Sequence, residues 1–258
     1  PGEGPSALGE RSHFARPTRQ AAFGVISGTP LQDLHGTITP ADLHFERHHG
    51  GIPTIDPQHH ALLIHGLVER PLRFELADLL RFPAVTRTCF IECSGNLRIN
   101  AGPETTPQEL CGLTSQSEWT GVALSTLLRE AGVSSKARWL LAEGSDAAVL
   151  SRSIPIEKAL DDAFVAYAQN GEPLRPAQGY PIRLVLPGFE GNTHVKWLRR
   201  IEVADRPFMT REETSKYTEP LRGGRARRFS FTMDARSVIT TPSYPAQLDR
   251  GWHEIRGL

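Results

Sequence analysis

Cys93 is the side chain in this sequence best placed to offer a chemistry that its neighbours cannot. It follows the β-rich run Val85 to Glu92 and precedes Ser94-Gly95-Asn96, a turn composition, so it stands at the exit of a strand. A glycine two residues on lets backbone approach a ligand closely. A soft thiolate in such a turn suits a soft or redox-active metal. Cys89 and Cys111 read instead as small buried apolar residues. The three cysteines form neither a disulfide framework nor a Cys-x-x-Cys zinc pattern, and no Cys-x-x-Cys-His run is present to attach a c-type haem.

Cations surround that turn in the sequence: Arg47 in HFERHHGGIP, Arg98 in ECSGNLR, Arg183 in GYPIRLVLPG and Lys196 in HVKWLRR. Arg183 and Lys196 interrupt apolar runs read as strands, where a charge is costly unless it meets an anion or faces a cleft. Several converging cations imply an oxyanion or phosphate ligand. The denser cluster Arg222, Arg225, Arg227 and Arg228 reads as a solvated loop that a small anion or an acidic partner could use.

The elements that must position these residues mix strands and short helices without a regular βαβ alternation, which argues for an α+β fold. Strands are expected over Ala61 to Val68, Leu72 to Leu76, Val85 to Glu92, Ala137 to Ala142, Phe164 to Gln169, Tyr180 to Leu186 and Val195 to Val203. Helical turns are expected over Leu76 to Phe82, Ala123 to Ala131, ended by Gly132, and Ile156 to Leu160. Residues 21 to 60 read as irregular backbone over a core, and Phe229 to Met233 with Ser237 to Thr240 as the first strands of a sandwich. In a chain of 258 residues, 29 Lys and Arg balance 29 Asp and Glu, which gives no argument for binding nucleic acid. No run reaches the roughly 20 apolar residues that cross a bilayer.

The strings HFERHH, FIECSGN, EGSD, RSIPIEKALDD, YAQNGEPLRPAQGYPIRLVLPG, EGNTHVKWLRR and TREETSKYT succeed one another over residues 42 to 220. As an ordered set they resemble the molybdopterin-binding domain of the sulfite oxidase family, above all its bacterial sulfite dehydrogenases and the molybdenum subunit of the thiosulfate-oxidising Sox system. The resemblance implies an N-terminal arm over 1–20, a catalytic domain of mixed sheets and short helices over 21–228, and the incomplete start of an immunoglobulin-like dimerisation domain over 229–258. It implies molybdenum held by one molybdopterin and by Cys93. Phe45, Arg47 and His49 would line the cofactor, with Arg47 reaching the substrate oxyanion and His49 the pterin. Asp146, Ser153, Gln178, Arg183, His194, Val195 and Lys196 match positions that hold the pterin and its phosphate. Tyr217 falls where the family has its active-site tyrosine, and Arg98 is the expected substrate contact. Two departures stand out. Ser94-Gly95-Asn96-Leu97-Arg98 replaces Ala-Gly-Asn-Arg-Arg of the vertebrate pattern, and Gln178 replaces a histidine, so that contact cannot be cationic.

The activity implied is oxidation of sulfite to sulfate in the periplasm, with electrons passed to a separate c-type cytochrome, and with either a second copy or a cytochrome subunit as partner. Arg47, Arg98 and Lys196 would neutralise the anion. The alternative is the Sox-type subunit, which acts on sulfane sulfur carried by a partner protein and uses a dihaem cytochrome. TREETSKYT and ECSGN lean to that alternative, whereas Arg98 leans to free sulfite. The family's reductase branch, which repairs oxidised methionine, and a non-enzymatic scaffold are the remaining readings.

Overall fold

A computed structural model describes residues 7–22, 24–96 and 101–258. Its frame is two five-stranded sheets, in keeping with the α+β expectation. The first runs Glu172–Pro173, Phe164–Gln169, Thr114–Ala123, Ala84–Glu92, with Arg183–Val185 also paired to Phe164–Gln169, and every pair in it is antiparallel. The second runs Leu72–Glu75, Ala61–Gly66, Leu198–Ala204, Trp139–Gly144, Ser151–Pro155. Only the pair Ala61–Gly66 with Leu198–Ala204 is parallel there.

Helix Leu124–Ala131 shows how the sequence sets this packing. Leu124, Leu127, Leu128 and Ala131 fall on one face at helical spacing and all are fully buried. Gly132, in the left-handed region at φ 70°, ends the helix. That face enters the main core, where Val122, Val165 and Leu184 of the first sheet meet Leu62, Ile64, Leu140 and Ile201 of the second. A second cluster gathers Phe45, Ile91, Trp119, Phe164 and Val185 around Cys93. No helix of the described residues is long and apolar enough to cross a membrane.

Four departures from the sequence reading have physical reasons. Thr114–Ala123, at the centre of the first sheet, is a strand whose inward positions include Ser115 and Ser117. Their hydroxyls are satisfied by Thr29 and by Gln169, so polar residues fill an apolar pattern's place. Lys196 does not interrupt a strand: Trp197 takes a positive φ of 51°, and pairing begins only at Leu198. Within the expected strand Tyr180 to Leu186, only Arg183–Val185 pairs; Pro181 has no N–H to donate. Phe229 to Met233 is not a strand either. It makes a single bridge, Phe189 with Thr232, and lays Phe229 and Phe231 on Trp139 and Phe189. Ile239–Thr241 does pair, with Arg256–Gly257.

Leu128→Ala should destabilise the protein by about 2–5 kcal/mol, because the fully buried side chain leaves a cavity in the main core. Urea unfolding of the two proteins measures the difference.

Candidate active site

The Cys93 turn is built by extending a sheet one residue past its last strand pair. Glu92 faces Thr114, and the Cys93 N–H then donates to Leu113 O at 2.9 Å. Asn96 closes the turn by donating its N–H to Cys93 O at 3.1 Å. Its side chain ties the turn down, giving Nδ2 to Glu92 Oε1 (2.8 Å) and Thr114 Oγ1 (2.7 Å) and accepting the Leu113 N–H (3.0 Å). Glu92 is buried, and Arg236 supplies its counter-charge at 2.6 Å. The Gly95 N–H points at Cys93 Sγ, 3.3 Å away. Loop 187–194 presses on this strand end so closely that a Cβ on Gly191 would lie 2.6 Å from Glu92 O.

The sulfur faces a narrow cleft between the two sheets. Phe45, Arg47, His49, Asp146, Gln178, Arg183, His194, Lys196 and Tyr217 line it with Cys93. The structure thus brings together most of the residues singled out from the sequence, but not all. Ser153 turns away to give its hydroxyl to Glu213 (3.0 Å), and Val195 is buried in the main core. Arg98 lies outside the described residues. The cleft also receives His44, His48, Asn192 and Trp197. All four fall within or beside the strings HFERHH and EGNTHVKWLRR, and that was the one signal able to find them.

Charge in the cleft is predominantly positive. Arg183 is buried, stacks on the Trp119 ring at 4.8 Å and donates only to uncharged acceptors, Gln178 O, Gln178 Oε1 and His194 O. Burial pulls its pKa down to about 9. Its Nε has no hydrogen-bond partner among the described residues. Lys196 is half-buried and donates to Ala177 O (2.9 Å), His48 Nδ1 (2.9 Å) and Arg47 O (3.3 Å). Its pKa falls well below the usual lysine value, first through burial and then through Arg183. His48 passes the string on to Glu46, 2.9 Å away, which Arg19 also meets. Glu46 is held at about 2, chiefly by His48.

The histidines at the cleft are neutral at pH 7. Burial pulls His44 and His194 to about 3 and His49 to about 4. His194 spends both ring nitrogens internally, accepting from Leu186 N (3.3 Å) and donating to Phe189 O (3.1 Å). His49 Nε2 accepts the Tyr217 hydroxyl at 2.9 Å. Burial pushes that phenol up to about 12, so it keeps its proton. Asp146 Oδ1 caps its own turn by accepting Leu150 N at 3.0 Å. Burial likewise raises the Cys89 thiol to about 11 and lifts the Cys111 thiol.

The family model described as the oxidoreductase molybdopterin-binding domain matches residues 49–212. The chain belongs to this family. Among curated relatives, an NADH nitrate reductase of Ulva prolifera is 35% identical over 188 residues, covering 66% of this chain and 22% of its own length. NADH nitrate reductase 2 of Phaseolus vulgaris is 38% identical over 198 residues, covering 69% and 22%. The chain therefore spans about a fifth of the length of these relatives. The crystal structure of the sulfane dehydrogenase SoxCD from Paracoccus pantotrophus matches over 97% of this chain and 67% of its own, with 45% identity and a TM-score of 0.91.

A molybdopterin-binding domain takes molybdenum and molybdopterin as its cofactor, and the cleft fits that group. The unanswered guanidinium of Arg183 and the buried, unpartnered His44 Nε2 are polar atoms that an anionic, hydrogen-bonding ligand would satisfy. Cys93 offers the soft donor.

These charges set two expectations. Arg183→Met should lower the molybdenum and pterin retained per chain, measured by metal analysis and by fluorescence of the oxidised pterin. The rings of His44 and His194 titrate at about 3 when folded and near 6.5 when unfolded. The unfolded chain therefore takes up their protons first, and stability falls as pH drops from about 6.5 toward 3. Each ring contributes up to about 1.4 kcal/mol per pH unit. Urea midpoints should be lower at pH 5 than at pH 7.

Proposed function

We propose that this chain is the molybdenum-bearing part of a sulfane-sulfur dehydrogenase, which oxidises sulfur held on a carrier and passes the electrons to a c-type cytochrome outside the cytoplasmic membrane. The observation that carries this reading is the 45% identity with SoxCD over 97% of the chain. That likeness reaches well beyond the residues 49–212 that the family model matches. The nitrate reductases share less identity over a shorter span.

When bound, the cofactor supplies the two-electron redox change. Each oxygen that sulfur gains from water releases two electrons and two protons, and haem accepts electrons singly. The chain's own residues do the rest. Cys93 would offer the metal its thiolate, Arg183 and Gln178 would hold the cofactor, and His44 Nε2 would accept a hydrogen bond from it. Arg47 and Lys196 set positive charge where sulfur oxyanions form, and in a cleft that charge acts more strongly than in water. Tyr217 keeps its hydroxyl proton directed at neutral His49. The string Lys196, His48, Glu46 gives a released proton a hydrogen-bonded way toward the surface.

Free sulfite is the second substrate reading. The excess of cations over carboxylates in the cleft suits a small dianion as well as a carrier-bound sulfonate. Loaded protein should reduce a c-type cytochrome when given a cysteine-persulfide peptide, and more slowly with sulfite. Arg47→Gln should lower kcat/KM on the order of 10²-fold. Nitrate-dependent oxidation of a reduced dye, with no turnover of either sulfur compound, would overturn the proposal.

A further inference from the structure

Among the described residues, Arg152 is the largest charged side chain buried outside the lining of the cofactor cleft. It stands on the strand Ser151–Pro155, beside Ser153, with its side chain 1% exposed. Glu213, fully buried, supplies the counter-charge, with Nε to Oε1 at 3.8 Å. The two do not hydrogen-bond. The Glu213 carboxylate is taken by the Ser153 N–H and hydroxyl, and Arg152 Nε has no acceptor among the described residues. Nη1 reaches across to Asn192 Oδ1 on the cleft wall, and Asn192 in turn donates to Glu190 Oε2 at 2.7 Å. The guanidinium carbon sits 5.0 Å from the centre of the Tyr217 ring.

An ion pair that served stability alone would close into a bidentate fork. Here the fork is open, and the cation lies over an aromatic face, a geometry attractive in its own right. The backbone around Tyr217 needs such support. It ends a wide turn, Glu212–Lys216, where the Tyr217 N–H reaches back to Glu212 O at 2.9 Å. Glu213 anchors that turn through Ser153, and Arg152 lies over the ring.

We propose that Arg152 is a positioning residue for Tyr217: stacked on the ring, charge-balanced by Glu213 and tethered to Asn192, it aims the tyrosine hydroxyl at His49 in the cleft. The inference rests on the reading of Tyr217 as an active-site group. It also assigns a purpose to Ser153, which holds Glu213 rather than the cofactor.

The test uses the full chain with ring-¹⁵N histidine. The His49 signals are identified by their loss in His49→Gln, and their hydrogen-bonded position by their shift in Tyr217→Phe. Arg152→Met should move the His49 Nε2 signal in the same direction as Tyr217→Phe, and Arg152→Lys should restore most of the wild-type position. Since Arg152→Met strands the Glu213 charge, Arg152→Met/Glu213→Gln is measured beside it and should shift the signal likewise. In sulfur-dependent cytochrome reduction, Arg152→Met should lower kcat several-fold in the wild type and add nothing to Tyr217→Phe. A His49 signal left at its wild-type position by both Arg152→Met proteins, or additive losses of kcat, would overturn the proposal. The nitrogen signal needs no substrate, so it decides the point even if the chain oxidises no sulfur compound.

Discussion

Positive charge without a carboxylate to answer it is the constraint on which the cleft depends. Arg183 sits within the first sheet, its hydrogen bonds spent on neutral acceptors and its Nε left over. A charge in that position is tolerable in the folded chain only because Trp119 covers one face and carbonyl oxygens cover part of the rest. An anionic cofactor would remove the remaining cost, so folding and cofactor binding are expected to support one another. Elsewhere the same protein pairs its buried charges: Glu92 with Arg236, Glu213 with Arg152. The contrast singles out the cleft as the place where an outside anion belongs.

The sheets convert that constraint into a shape. Nine paired residues carry the chain from Ala84 to Glu92 without a break, and the Asn96 side chain then fastens the Cys93 turn to Leu113 and Thr114. From the opposite side, Gly191 lets loop 187–194 approach the strand end where any side chain would collide. Cys93 is therefore held between a rigid ladder and a tightly fitted loop, as a metal ligand has to be if its geometry is to survive turnover.

Much of this was legible in the sequence because it is local. The helix over Leu124–Ala131 shows in its apolar spacing and in Gly132, and the position of Cys93 in a β-rich run ahead of a turn. What was hidden depends on partners far along the chain. Ser115 and Ser117 are strand-interior residues only because Thr29, Phe45 and Gln169 satisfy them. Ser153 falls in a string that resembles the cofactor-binding domain, yet its hydroxyl answers Glu213, sixty residues away. Val195 stands between His194 and Lys196, which line the cleft, and points the other way into the core. No local pattern announces that Trp197 adopts a positive φ, and that one dihedral angle is what frees Lys196 from the strand.

The central claim is that the Cys93 sulfur binds molybdenum inside this cation-lined cleft. X-ray absorption at the molybdenum edge, on loaded wild-type protein and on Cys93→Ser, tests it most directly. The account predicts one fewer sulfur neighbour around molybdenum in the variant, with pterin still bound through Arg183. An unchanged sulfur shell in Cys93→Ser at full molybdenum occupancy would contradict it.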